Sequence, residues 1–181
     1  MAPIHFTTAV FVDSLFVTQT IHEARETYPN LAESDISLDA IMSRIIHYTG
    51  FDNYMVYYFE IPAEHLKPAI NLASIGKTRK IKGKSVKFQW VEADLIAPEL
   101  ADFFIQHQSR FEQTVLVADD IIYSTWIGES GNYPNLTVLR RREPETRMLW
   151  DFYGRYAYFE DVILEICKGI LKIDIENSSG R

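Results

Sequence analysis

The chain is predicted to be an α/β protein, a three-layer α/β/α sandwich with a mainly parallel sheet of about five strands. Three observations predict it. Five short runs are nearly continuous in β-branched and aromatic residues, the signature of strands buried on both faces. Stretches with apolar residues at helical spacing alternate with them, which implies βαβ crossovers. The 181 residues, 47% apolar and 24% charged, suit one globular domain with a sizeable core.

The first strand is read at Thr7–Val12 (TTAVFV). A helix follows over Ser14–Tyr28, where Leu15, Val17, Ile21 and Ala24 mark an apolar face, and another over Leu38–Tyr48, with Ser37 as its N-cap. The second strand is Tyr54–Ile61 (YMVYYFEI), followed by a helix over Pro62–Ser74. Val86–Val91 (VKFQWV) is the third, leading into a helix over Asp94–Phe111. Thr114–Ala118 (TVLVA) is the fourth, with a shorter helix beginning near Asp120. Leu136–Arg140 (LTVLR) is the fifth, and a helix covers YFEDVILEICKGILKI, from Tyr158 to Ile173. Residues 1–175 form one domain, and 176–181 read as a frayed polar tail.

Bulk properties narrow the function classes. No window approaches ~18 uninterrupted apolar residues, so a membrane span is not expected. The N-terminus lacks a basic leader and carries Asp13 within its apolar stretch, unlike a secretory signal. The single Cys167, set in an apolar pattern, fits a buried thiol in a reducing cytoplasm. A net charge of −7 argues against broad coating of nucleic acid but leaves room for a local basic rim.

INLASIGKTRKIKGKS, Ile70 to Ser85, contains both GKT and GKS, yet Asn71 and Thr78 stand where a phosphate-binding loop needs its first glycine. What remains is a cationic stretch: Lys77, Arg79, Lys80, Lys82, Lys84 and Lys87. Such a run is either solvated charge or a contact for a polyanion. The five histidines show no metal-binding spacing, and neither a G-x-S-x-G elbow nor a G-x-G-x-x-G fingerprint is present. Trp126, Tyr133 and Trp150 are read as packing residues or as platforms for a stacked base.

Open α/β sheets bind ligands at the carboxyl ends of their strands. Asp13 follows the first strand and Glu60 closes the second. Glu92 and Asp94 follow the third, Asp119 and Asp120 the fourth, and Arg140, Arg141 and Arg142 come at the fifth. Carboxylates brought together repel unless one protonates or a cation joins them. An all-oxygen set suits Mg²⁺ or Mn²⁺, which can activate water against a phosphodiester. The competing reading is that Asp13, Asp94 and Asp120 cap helices and that the arginines merely balance neighbouring acids.

AVFVD, YYFEIP, GKSVKFQW…AD, TVLVADDIIY and LTVLRR, in this order, resemble the NYN domain, a PIN-like ribonuclease fold. The likeness spans residues 7 to 142 and, through LWDFYGRYAYFEDV, to about residue 163. Asp13 matches the family's first Asp, Lys84 and Val86 its Lys-Gly-Val-Asp stretch, and Asp120 and Tyr123 its Ser-Gly-Asp-x-Asp-Phe motif. The chain departs from the pattern at Ser14, Lys87, Asp119 and Ile122, in place of Asn, Asp, Gly and Asp. The resemblance implies a metal-dependent endoribonuclease. Asp13, Asp94, Asp119 and Asp120 would be catalytic, with Asp13, Asp94, Asp120 and Glu92 around Mg²⁺ or Mn²⁺. Lys84, Arg140 and Arg141 would lie on the RNA. The departures imply the alternative, a catalytically weakened domain that binds RNA or a protein partner, a second copy of itself included.

Overall fold

The computed structural model describes residues 6–29, 36–48, 53–60, 73–119, 121–142 and 155–179. Seven strands form one sheet: β1 (Thr8–Asp13), β2 (Asn53–Glu60), β3 (Thr78–Ile81), β4 (Lys84–Glu92), β5 (Gln113–Val117), β6 (Leu136–Arg140) and β7 (Tyr156–Tyr158). Their order is β3-β4-β2-β1-β5-β6-β7, all parallel except β3, which runs antiparallel to β4. Five helices accompany them: α1 (Ser14–Thr27), α2 (Leu38–Ile45), α3 (Ile96–His107), α4 (Ile121–Ser130) and α5 (Phe159–Ser179).

Strand β1 lies near the centre of the sheet and is buried along its whole length. Strict alternation sends Val10 and Val12 into a core shared with residues of α1, α2 and α5, and Ala9 and Phe11 into one shared with α3 and α4. The sheet is therefore the middle layer of three. That double burial is why the strand sequences read as continuous apolar runs. Cys167 is fully buried in the first core, and burial pushes its thiol up, so it packs as an inert apolar group. Among the described residues no helix is long and apolar enough to cross a membrane.

Four expectations are corrected. The sheet has seven strands, because β3 and β7 carry little apolar signal: β3 is TRKI and β7 only YAY. The hairpin joining β3 to β4 turns at Lys82 and Gly83, both with positive φ (47° and 78°), as a two-residue turn requires. The helices expected to run to Tyr48 and Phe111 end in short 3₁₀ turns, Ile46–Tyr48 and Gln108–Arg110. Helix α5 continues through Ser179, so the tail read as frayed is helical up to the residue before Gly180, whose type favours helix ends. The helix expected over Pro62–Ser74 lies largely outside the described residues; Ala73 and Ser74 are in a turn.

Candidate functional site at the carboxyl edge of the sheet

From β1 the chain builds the sheet outward through β2 and β4, then crosses back to place β5, β6 and β7 on the other side of β1. The direction reverses between β1 and β5, and the crevice outside the carboxyl ends at such a reversal is where open α/β sheets bind ligands. Asp13 and the Ala118–Asp119 segment stand at that crevice.

Asp13 ends β1 and is 5% exposed. Its Oδ1 accepts from the backbone N–H of Leu15 (2.9 Å) and Phe16 (3.1 Å), capping α1. Its Oδ2 accepts from the Tyr123 hydroxyl at 2.5 Å. One carboxylate thus ties β1, the start of α1 and α4 together. The cap reading of Asp13 is realised, together with a third bond that sequence spacing does not disclose.

Asp119 follows β5, with its side chain 11% exposed, and its Oδ2 lies 3.3 Å from Nε of Arg141. The same guanidinium donates from Nη1 to both oxygens of Glu23 on α1, at 3.0 and 2.8 Å. Burial raises the Asp119 pKa and outweighs the lowering by Arg141, while the nearby charge of Glu160 adds to the rise. Arg142 donates its backbone N–H to Glu160 (2.9 Å) and its Nη2 to Asp161 (2.5 Å), with its guanidinium 4.4 Å from the Tyr158 ring centroid. Arg140 is buried, stacked 4.3 Å from the ring centroid of Tyr156. Between α1 and α5, beside these pairs, a groove of about 330 Å³ is lined by Thr20, Glu23, Tyr28, Arg142, Glu160 and Asp161, among others.

The remaining sequence candidates fall elsewhere. Glu92 is exposed at the end of β4, two strands from β1. Asp94 is exposed and is not the cap of α3; that place is taken by Leu95, and Glu99 reaches back to accept from the N–H groups of Asp94 (3.1 Å) and Leu95 (2.9 Å). Lys84 opens β4 at its amino end, eight residues before Glu92, so it lies roughly 26 Å along the strand from the carboxyl edge. Parallel pairing of β4 with β2 thus sets it at the opposite edge from the acids, not beside them. Asp120 and Trp150 lie outside the described residues, and of Glu60 only its place at the end of β2 is described. Tyr133 is 8% exposed and packs edge-on against Phe104, which makes it a packing residue, whereas Trp126 is 40% exposed.

The described carboxylates do not fit a divalent ion unaided. Asp13 is engaged by three donors, Asp119 faces Arg141, and Glu92 and Asp94 stand apart on β4 and beyond it. Among the described residues no group of three or more His, Cys, Asp or Glu is arranged to hold a metal. Arg141 joins Asp119 and Glu23, and Arg142 meets Glu160 and Asp161. Glu23, Glu160 and Asp161 were not legible as rim residues. Glu23 lies well inside a helix, and Glu160 and Asp161 read as ordinary first-turn acids.

One prediction follows from Asp119. A carboxyl whose folded pKa is raised contributes stability at low pH, and that contribution is lost as pH rises through the folded value. The Asp119→Asn variant cannot ionise there. Its Tm relative to wild type should therefore rise between pH ~4, the ordinary Asp range, and neutrality. Thermal melts of both proteins across that window check the sign.

No protein-family model matches the chain, and neither a curated protein nor a solved structure does.

Proposed function

We propose that the protein is a PIN-like domain of the NYN type that holds single-stranded RNA and cleaves it feebly or not at all. The observation that carries this reading is the commitment of the rim acids to protein partners. Asp13 is fixed by two amides and a tyrosine hydroxyl, and Arg141 bridges Asp119 and Glu23. A water-activating ion would have to displace such partners, and the motif acid that could recruit it is replaced by Ile122. Support for the fold comes from the strand order, with a reversal beside β1, and from the sequence likeness across that same stretch. The buried, inert Cys167 suits a cytoplasmic working place.

The test is incubation of the purified protein with an end-labelled single-stranded RNA, in Mn²⁺ and separately in EDTA. The expected result is RNA retention in a filter-binding assay, with no shortening in either condition. Cleavage that needs Mn²⁺ or Mg²⁺ and disappears in Asp13→Asn overturns this reading. It would establish the metal-dependent endoribonuclease instead, with Asp120 completing the acidic set.

A further inference from the structure

A second contact for the same polymer lies away from the acidic rim, and the inference rests on the RNA-holding reading above. From Gly76 to Val91 the sequence has six cations and no acid. The structure folds this stretch into the β3–β4 hairpin at the edge of the sheet. Alternation divides the hairpin into two unlike faces. Ile81, Val86 and Phe88 enter the core beneath α1, α2 and α5. Thr78, Lys80, Ser85, Lys87 and Gln89 take the other face, where, among the described residues, β3 and β4 give none to the core of the α3–α4 layer before Val91. Lys80 is exposed and donates to Ser85 Oγ at 2.7 Å, and Lys87 is half-buried beside Thr78 across the ladder.

Four of these six cations have no carboxylate partner among the described residues. Arg79 pairs with Asp39 at 3.4 Å, but the amine of Lys77 meets the carbonyl of Ala73, that of Lys80 a hydroxyl and that of Lys82 the ring of His47. Among the described residues, none of Lys77, Lys80, Lys82 and Lys87 has a carboxylate within ion-pair distance. Arg141 and Arg142 at the rim are saturated by acids; these lysines are not. In a chain of net charge −7, such separation marks a surface for a polyanion. Lys87 is in register with Met55 and, through it, with Ala9, so it shares a face of the sheet with Asp13. It lies two strands and four residues away, roughly 16 Å, which a few nucleotides span.

We infer that the polar face of the β3–β4 hairpin, centred on Lys80 and Lys87, binds the phosphates of a single RNA strand whose other end reaches the carboxyl edge. Each phosphate neutralised on a single strand adds about −0.7 to the slope of log affinity against log salt. The test measures binding of a fluorescein-labelled 20-nucleotide oligouridylate by anisotropy over a salt series, for wild type and for Lys80→Gln/Lys87→Gln. Both substitutions lie on a polar face, and the Tm of the variant is measured alongside. The variant should bind more weakly, with a slope shallower by about 1.4. Between about 50 and about 200 mM salt, wild type should then lose roughly sevenfold more affinity than the variant. A tetranucleotide, too short to span both places, should separate the two proteins less than the 20-mer does. Unchanged affinity and slope in the variant overturn the hairpin contact and leave the RNA-holding reading intact. A wild type that ignores the oligonucleotide but retains polyglutamate overturns the RNA reading and assigns the hairpin to an acidic protein.

Discussion

Asp13→Ala is expected to lower the unfolding free energy by about 3 kcal/mol. Loss of the cap on α1, where Asp13 accepts from the amides of Leu15 and Phe16, contributes about 1–2 kcal/mol. The remainder comes from the hydrogen bond of the buried Tyr123 hydroxyl to the carboxylate; a bond to a charged group is worth about 1.5–3 kcal/mol. For a domain of 181 residues this corresponds to a Tm lower by about 6–12 °C. Asp13→Asn should behave differently. The amide oxygen still accepts from the two backbone N–H groups, and its NH₂ can donate to the tyrosine oxygen. Its cost should stay below about 1 kcal/mol. Urea denaturation of the two variants separates the contributions, and equal losses would show that the carboxylate is not the cap. The asparagine variant is therefore the suitable probe of chemistry at this rim: activity lost there is lost in a folded protein.

Phe11→Ala is expected to cost still more, about 4 kcal/mol, or a Tm lower by about 8–16 °C. Phe11 is fully buried in the central strand and meets Phe104 edge-on at 5.1 Å between centroids and Phe103 at 6.1 Å. Truncation removes apolar burial and two edge-to-face contacts, and leaves a cavity between sheet and helix that rigid neighbours on both sides cannot close. Leu95→Ala provides the contrast. That side chain is 65% exposed, and its loss should stay within ~0.5 kcal/mol. If urea titration gives Phe11→Ala a cost under about 1.5 kcal/mol, the assignment of β1 as the doubly covered centre of the sheet is wrong.

Much of the fold was legible from residue pattern. The strand ending in Asp13, the long run around Phe88, the run TVLV and the run LTVLR all lie within a residue or two of their observed bounds. Burial of β1, β5 and β6 along their whole length forces a continuous apolar signal. Ser37 is the N-cap of α2, as its spacing indicated, its Oγ accepting from the N–H of Ala40. The edge strands were not legible. An edge strand protects itself with charge, and β3 therefore looks like a solvated loop until its pairing with β4 is known.

The candidate site divides along the same line. That acids gather at the ends of successive strands is a property of the sequence, because each follows its strand directly and parallel strands deliver their ends to one edge. Which arginine meets Asp119 and Glu23 was set in three dimensions. Arg141 reaches Asp119, 22 positions earlier in the chain, and Glu23, 118 positions earlier; no periodicity encodes contacts of that separation. The same holds for Lys84, whose charge was evident but whose edge of the sheet was set by the register of β4 against β2. Local pattern determines which residues are buried and which stretches are strand or helix, because those preferences act over a few neighbours. The partner of each charge is brought from another element of the fold, and only the packed chain decides it.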